Sequence, residues 1–104
     1  MNNIDPFIIK TIYDSVITIP GVVALANYTS NSSDDLITND ISKAIEIEMK
    51  DDIYQFKIHV VLLNGVNILD VMTEIQIRIK YELEKNVKNF VNHTVTVAVD
   101  DLML

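Results

Sequence analysis

Lacking cysteine, the chain leaves reactive chemistry to two histidines, His59 and His93, to adjacent acid pairs at Asp34-Asp35, Asp51-Asp52 and Asp100-Asp101, and to scattered hydroxyls. Thiolate catalysis, disulfides and cysteine-ligated zinc are excluded at once. A histidine works as a general base only where a pocket excludes water and brings the substrate proton within reach. A metal needs several ligands converging on one point. Both histidines fall in segments that alternate like strands. If those strands are neighbours, both rings share an open sheet face with Glu46 or Glu48 near. A flat face supplies neither pocket nor convergence, so the expectation is two solvent-facing strand residues.

Adjacent acids favour turns and chain ends, where both are solvated, whereas the carboxylates of a glycosidase must oppose each other across a cleft. Asp34-Asp35 sits in a Ser/Asn-rich stretch without the spacing of a calcium-binding EF-hand loop. None of Ser15, Ser30, Ser32, Ser33 and Ser42 lies in a G-x-S-x-G context. Glycine occurs only at Gly21 and Gly65, which excludes a phosphate-cradling loop of the Walker or dinucleotide kind. The sequence therefore assigns no catalytic residue, no metal and no cofactor.

The elements that would position these residues are legible in the spacing of apolar side chains. Asp5 is a good N-cap, and Pro6 suits the first helical position, where its missing N–H costs nothing. Ile8, Ile9, Ile12, Tyr13, Val16 and Ile19 then recur at helical intervals until Pro20-Gly21. Val22 to Ala26 predicts a short edge strand, and the polar, turn-rich 27–40 stretch predicts a surface loop. Ala44 to Leu63 reads as a β-hairpin. Folded about Asp51-Asp52, it sets Met49 against Tyr54, Ile47 against Phe56, Ile45 against Ile58 and Glu46 against Lys57. Asn67 caps a second helix predicted from Ile68 to about Asn89. Its stripe is Ile68, Val71, Met72, Ile75, Ile79, Leu83, Val87 and Phe90. A last strand runs from His93 to Val99, with Val95, Val97 and Val99 alternating with Thr94, Thr96 and Ala98.

These elements predict one domain over residues 1–104, α+β in class. It is a two-layer sandwich in the order α, short β, β, β, α, β, with a three- to four-stranded sheet and two helices on one face. Glu46, Glu48, Gln55, Lys57, His59, Thr94 and Thr96 are expected on the other face.

Charge narrows the function classes. Fifteen acids against eight bases give a net charge of −7, and the bases are interleaved with acids throughout. Nucleic-acid affinity rests mainly on clustered Lys and Arg, so no nucleic-acid partner is expected, and docking on an anionic membrane is disfavoured for the same reason. The element order is similar to that of KH-type RNA-binding modules, but those clamp the backbone with a GxxG loop that this sequence lacks. Uninterrupted apolar runs such as Val60 to Leu63 are far too short for direct membrane insertion. The opening MNNIDPFIIK has no basic region followed by an apolar run, so no signal peptide is expected, and the expected location is cytoplasmic. Ile77 and Tyr81 stand apart from the stripe of the second helix. They project outward one turn apart and are the candidate partner-binding residues.

Two stretches carry a family likeness: SVITIPGVVAL, from Ser15 to Leu25, and HVVLLNGVNILDVMTEIQIRIKYELEKNV, from His59 to Val87, the latter followed by VTVAVDDL. Together they resemble the alkaline shock, or envelope stress response, protein family of Gram-positive bacteria and mollicutes. Ile19, Pro20, Gly21 and Val22 match its first turn, and Gly65, Val66, Asn67 and Ile68 its second. Val71, Ile75 and Gln76 match its long-helix pattern, and Val95, Val97 and Val99 its closing strand. The chain departs in the polar 27–40 stretch, where the family often has a Gly-rich segment, and at Leu69, where proline is common.

The resemblance implies a non-enzymatic cytoplasmic protein tied to envelope stress or lipid metabolism. It also implies a protein partner that in some members is membrane-anchored, and it offers no catalytic residues to transfer. The reading is therefore a protein-binding adaptor in cell-envelope or lipid homeostasis. The alternatives are a self-associating structural protein (a homo-oligomer) and an RNA- or ribosome-associated module.

Overall fold

A computed structural model describes residues 5–30, 35–87 and 93–103. Ser32, Ser33, Asp34 and Phe90 lie outside the described residues. The element order is α1 (Pro6–Ile17), β1 (Val22–Ala26), β2 (Ile37–Thr38), a 3-10 turn (Ile41–Lys43), β3 (Ile45–Lys50), β4 (Ile53–Leu63), α2 (Ile68–Asn86) and β5 (His93–Met103). This is the expected α+β order with one addition. Among the described residues the sheet has five strands, because the polar stretch between β1 and β3 contributes the two-residue β2 against β1. Its pairing is secured by the backbone bond from Asn27 N–H to the Leu36 carbonyl, 2.6 Å, which no side-chain pattern announces.

Each helix is bounded by the side chains that satisfy its free backbone groups. The Asp5 carboxylate accepts from the Phe7 N–H at 2.9 Å, and the Asn67 side chain accepts from the Asp70 N–H at 3.1 Å. α1 stops at Ile17, with Thr18 as its cap, two residues short of the expected end at Ile19. Ile19 still buries its side chain in the core. Gly21 adopts a φ of +97°, which disfavours any side chain. A Cβ there would lie 3.2 Å from Val71 and 3.3 Å from Val66. The IPGV turn and the GVNI turn thus pack against each other and join the end of α1 to the start of α2.

β4 organises the sheet. Along one edge it pairs with β5 in parallel, Tyr54 with His93 through Leu63 with Met103. Along the other edge β3 and β1 lie end to end, both antiparallel: β3 pairs with residues 53–58 and β1 with residues 60–62. At the junction the His59 N–H donates to the Ala44 carbonyl at 2.8 Å. The hairpin has the expected register, including Met49 with Tyr54 and Glu46 with Lys57. Asp51 and Asp52 both take positive φ, 54° and 64°, the mirror-image two-residue turn whose twist suits a hairpin.

Both helices cover one face of the sheet. Phe56, Ile58, Val60 and Leu62 of β4 meet Ile8, Ile12 and Val16 of α1 and Val71, Ile75, Ile79 and Leu83 of α2 in one core cluster. The four buried residues of α2 follow a strict every-fourth-residue stripe, narrower than expected. Ile68 is exposed, Met72 is half-buried, and Val87 caps the helix rather than extending it. The Gln76 amide ties α2 to the sheet by donating to the Val95 carbonyl at 3.0 Å.

Candidate functional site

Two places combine chemistry with access. One is the sheet face turned away from the helices, and the other is the outward side of α2.

On the far sheet face the expectation holds at one end and fails at the other. Glu46, Glu48, Gln55, Lys57, Thr94 and Thr96 line a shallow concavity of about 320 Å³. Towards β1, however, His59 and Val61 are buried, and so is Ala26. The expectation that His59 faces solvent is therefore wrong. Its side chain is only 9% exposed, and both of its ring nitrogens face carboxylates. Nε2 lies 2.6 Å from Glu46 Oε2 on β3. Nδ1 lies 2.9 Å from Asp100 Oδ2 and 3.2 Å from Oδ1 on β5. The Tyr28 ring, from the segment after β1, stacks over the imidazole with centroids 5.0 Å apart.

Asp100 reaches this position through a β-bulge. Val60 pairs with Val99 and Val61 with Asp101, so Asp100 is the extra residue on β5. Asp100 and Asp101 are exposed as expected, but the expectation that they mark a chain end is corrected. β5 continues to Met103, and the bulge turns Asp100 onto His59. The sequence did carry a signal for this burial. Val60 to Leu63 is a continuous apolar run, and such runs mark strands covered on both faces.

His93 does not join His59. Its register partner Tyr54 puts it on the helix side, with its ring centroid 6.4 Å from that of Phe56. Burial holds its imidazole below the ordinary histidine range. Glu84 on α2 pulls the other way, and Lys80 adds to the lowering. The expectation of two histidines on one open face is thus overturned by a fact visible in the strand itself: His93 is in phase with Val95 and Val97.

The chemistry of the Glu46–His59–Asp100 cluster is positional. The two carboxylates bind opposite ring nitrogens, so the three groups do not converge on a point. Among the described residues no group of three such side chains could hold a metal. Among the described residues no hydroxyl is hydrogen-bonded to the ring as a nucleophile would be.

The second place is α2. Ile77 is 63% and Tyr81 57% exposed, and with Glu74 and Arg78 they border a shallow concavity of about 280 Å³. The Lys85 ammonium sits 5.7 Å from the Tyr81 ring centroid, which fixes one edge of the patch. Among the described residues no helix is long and apolar enough to cross a membrane.

No curated protein and no solved structure matches the chain significantly. The model of one protein family does, over residues 2–104, nearly the full length. Both turns that the fold packs together at Gly21, the α2 stripe and the closing β5 lie inside that match. The chain belongs to the alkaline shock protein 23 family, described as having a cell envelope-related function.

Proposed function

We propose that this chain is a non-enzymatic, cytoplasmic adaptor of the cell envelope that captures a protein partner on the outward side of α2. The observation that carries the reading is the pair Ile77 and Tyr81, two large side chains more than half exposed and one helical turn apart. Amphipathic recognition typically uses such anchors, with an aromatic residue supplying most of the buried area and charged neighbours setting orientation. Glu74, Arg78 and Lys85 supply mixed charge around the pair. The net charge of −7 favours a protein over a phosphate-bearing partner. The family's envelope-related role supports a partner at or near the membrane, acting in envelope or lipid homeostasis.

The test is a crosslinked pull-down of the tagged chain from membrane and soluble fractions of its host, beside the Ile77→Glu/Tyr81→Lys double variant. A partner lost in a variant with unchanged circular dichroism is the expected result. Equal capture by the variant removes α2 from the reading.

Self-association is the second reading, and a separate observation favours it. β3 and β5 each pair on one side only among the described residues, and β5 is eleven residues long. A strand with a neighbouring strand on one side only is a template for strand addition. Recovery of only the chain itself, with sedimentation above the monomer mass, would select it.

A further inference from the structure

The three-part cluster on the far sheet face has a property that its geometry dictates. A neutral imidazole carries one N–H, and a protonated imidazolium carries two. His59 has carboxylate oxygens at hydrogen-bond distance from both nitrogens, 2.6 Å at Nε2 and 2.9 Å at Nδ1. With both carboxyls ionised, both contacts are hydrogen bonds only when the ring donates twice. Once a single proton leaves to solvent, one nitrogen turns a lone pair towards a carboxylate, and attraction becomes repulsion across a part-buried contact.

The four groups come from three strands and a connecting segment. Glu46 is on β3, His59 on β4 and Asp100 in the bulge of β5, while Tyr28 belongs to the segment between β1 and β2. The ring sits where β1 and β3 meet end to end along β4, so the cluster spans the seam between them. The Tyr28 segment is otherwise tied there by the Tyr28 N–H to the Lys43 carbonyl, 3.0 Å, and by the local turn at Asn27. The other charged groups on this face lie a register step or more away: Glu48 on β3, Lys57 on β4 and Asp101 on β5. Lys57 stands opposite Glu46, and the Asp101 carboxylate is engaged by the Leu102 N–H at 2.9 Å.

We propose that Glu46, His59 and Asp100 form a proton-dependent clasp. Doubly protonated, His59 locks β3 and the β5 bulge to β4 and holds Tyr28 over its ring; losing one proton opens the seam and releases the Tyr28 segment. The device is independent of the α2 surface and would stand if that surface bound nothing.

The test uses the full chain, 15N-labelled, titrated from about pH 5 to about pH 8, the range in which histidines change charge. Long-range 1H–15N spectra report the His59 nitrogens, and amide exchange, expressed as protection against the intrinsic rate, reports the backbone. Loss of the second ring proton should coincide with a fall in protection of about tenfold or more at Tyr28, His59 and Asp101, while Ile12 and Ile75 in the helices stay unchanged.

His59→Gln should abolish the pH step. If that variant does not fold, Glu46→Gln serves instead. Its side-chain amide can donate to a bare ring nitrogen or accept from a ring N–H, so it satisfies either state and should flatten the step too. Protection that stays constant through His59 deprotonation would overturn the clasp. So would an undiminished step in a folded variant.

Discussion

The two faces of the sheet are built from alternate residues of the same strand and are held by different physics. Towards the helices β4 presents Phe56, Ile58 and Val60, buried in the apolar core cluster. Away from them it presents Gln55 and Lys57 to solvent and then, two residues on, a buried His59 between two carboxylates. The first face is stabilised by area removed from water, which is insensitive to pH and forgiving of exact geometry. The second depends on a few directed hydrogen bonds, which fail when one partner or one proton is missing. The histidines make the same contrast. His59 meets partners for both nitrogens, whereas His93, on the helix side beside Phe56, is disfavoured in its charged form by burial.

Substitutions on each face should separate these contributions. Phe56→Ala on the helix side should cost the most, about 3–5 kcal/mol in urea unfolding, because a buried aromatic ring leaves a cavity in the core. The loss should persist at every pH. Asp100→Ala on the far face should cost less, about 1–3 kcal/mol, the penalty of leaving a buried donor without its acceptor. Asp100→Ala losing as much as Phe56→Ala would show that the bulge holds β5 in place as well as His59.

A pH series sharpens the comparison further. The folded-state pKa of His93 is lowered, so the unfolded chain binds the proton first. Its contribution to stability is complete above the unfolded value of about 6.5 and is lost as pH falls through the folded one. His93→Gln should therefore lose less stability on acidification than the unsubstituted chain, measured by urea midpoints between about pH 5 and about pH 8. An identical decline in both would contradict the burial argument. The smallest effect is expected on α2. Ile77→Glu with Tyr81→Lys should change stability by no more than about 0.5 kcal/mol at each site, as exposed substitutions do.

What the sequence disclosed follows the same division. Hairpin register was legible because a period of two and a fixed turn leave one pairing that keeps Ile45, Ile47 and Met49 on a single side. The α2 stripe was legible because Val71, Ile75, Ile79 and Leu83 repeat every fourth residue. The Glu46–His59–Asp100 cluster was not legible, because its parts are up to 54 residues apart (46 to 100) and meet only through a bulge. A bulge shifts one residue to the other side without changing the residue types around it. β2 was hidden for a related reason. Two residues, Ile37 and Thr38, are too few to show a period, and backbone bonds define them. His93 was legible from its phase with Val95 and was misplaced by weighing polarity above alternation.

The central claim, that α2 rather than the far sheet face meets the partner, is tested most directly by placement of a photo-crosslinking residue. One chain carries it in place of Arg78, between Ile77 and Tyr81, and another in place of Thr96 on the far face, each expressed in the host and irradiated there. The account predicts a discrete adduct from position 78 that disappears when Ile77 and Tyr81 are also replaced, and none from position 96. An adduct from position 96 with none from position 78 would contradict it and move the binding surface to the opposite side of the molecule.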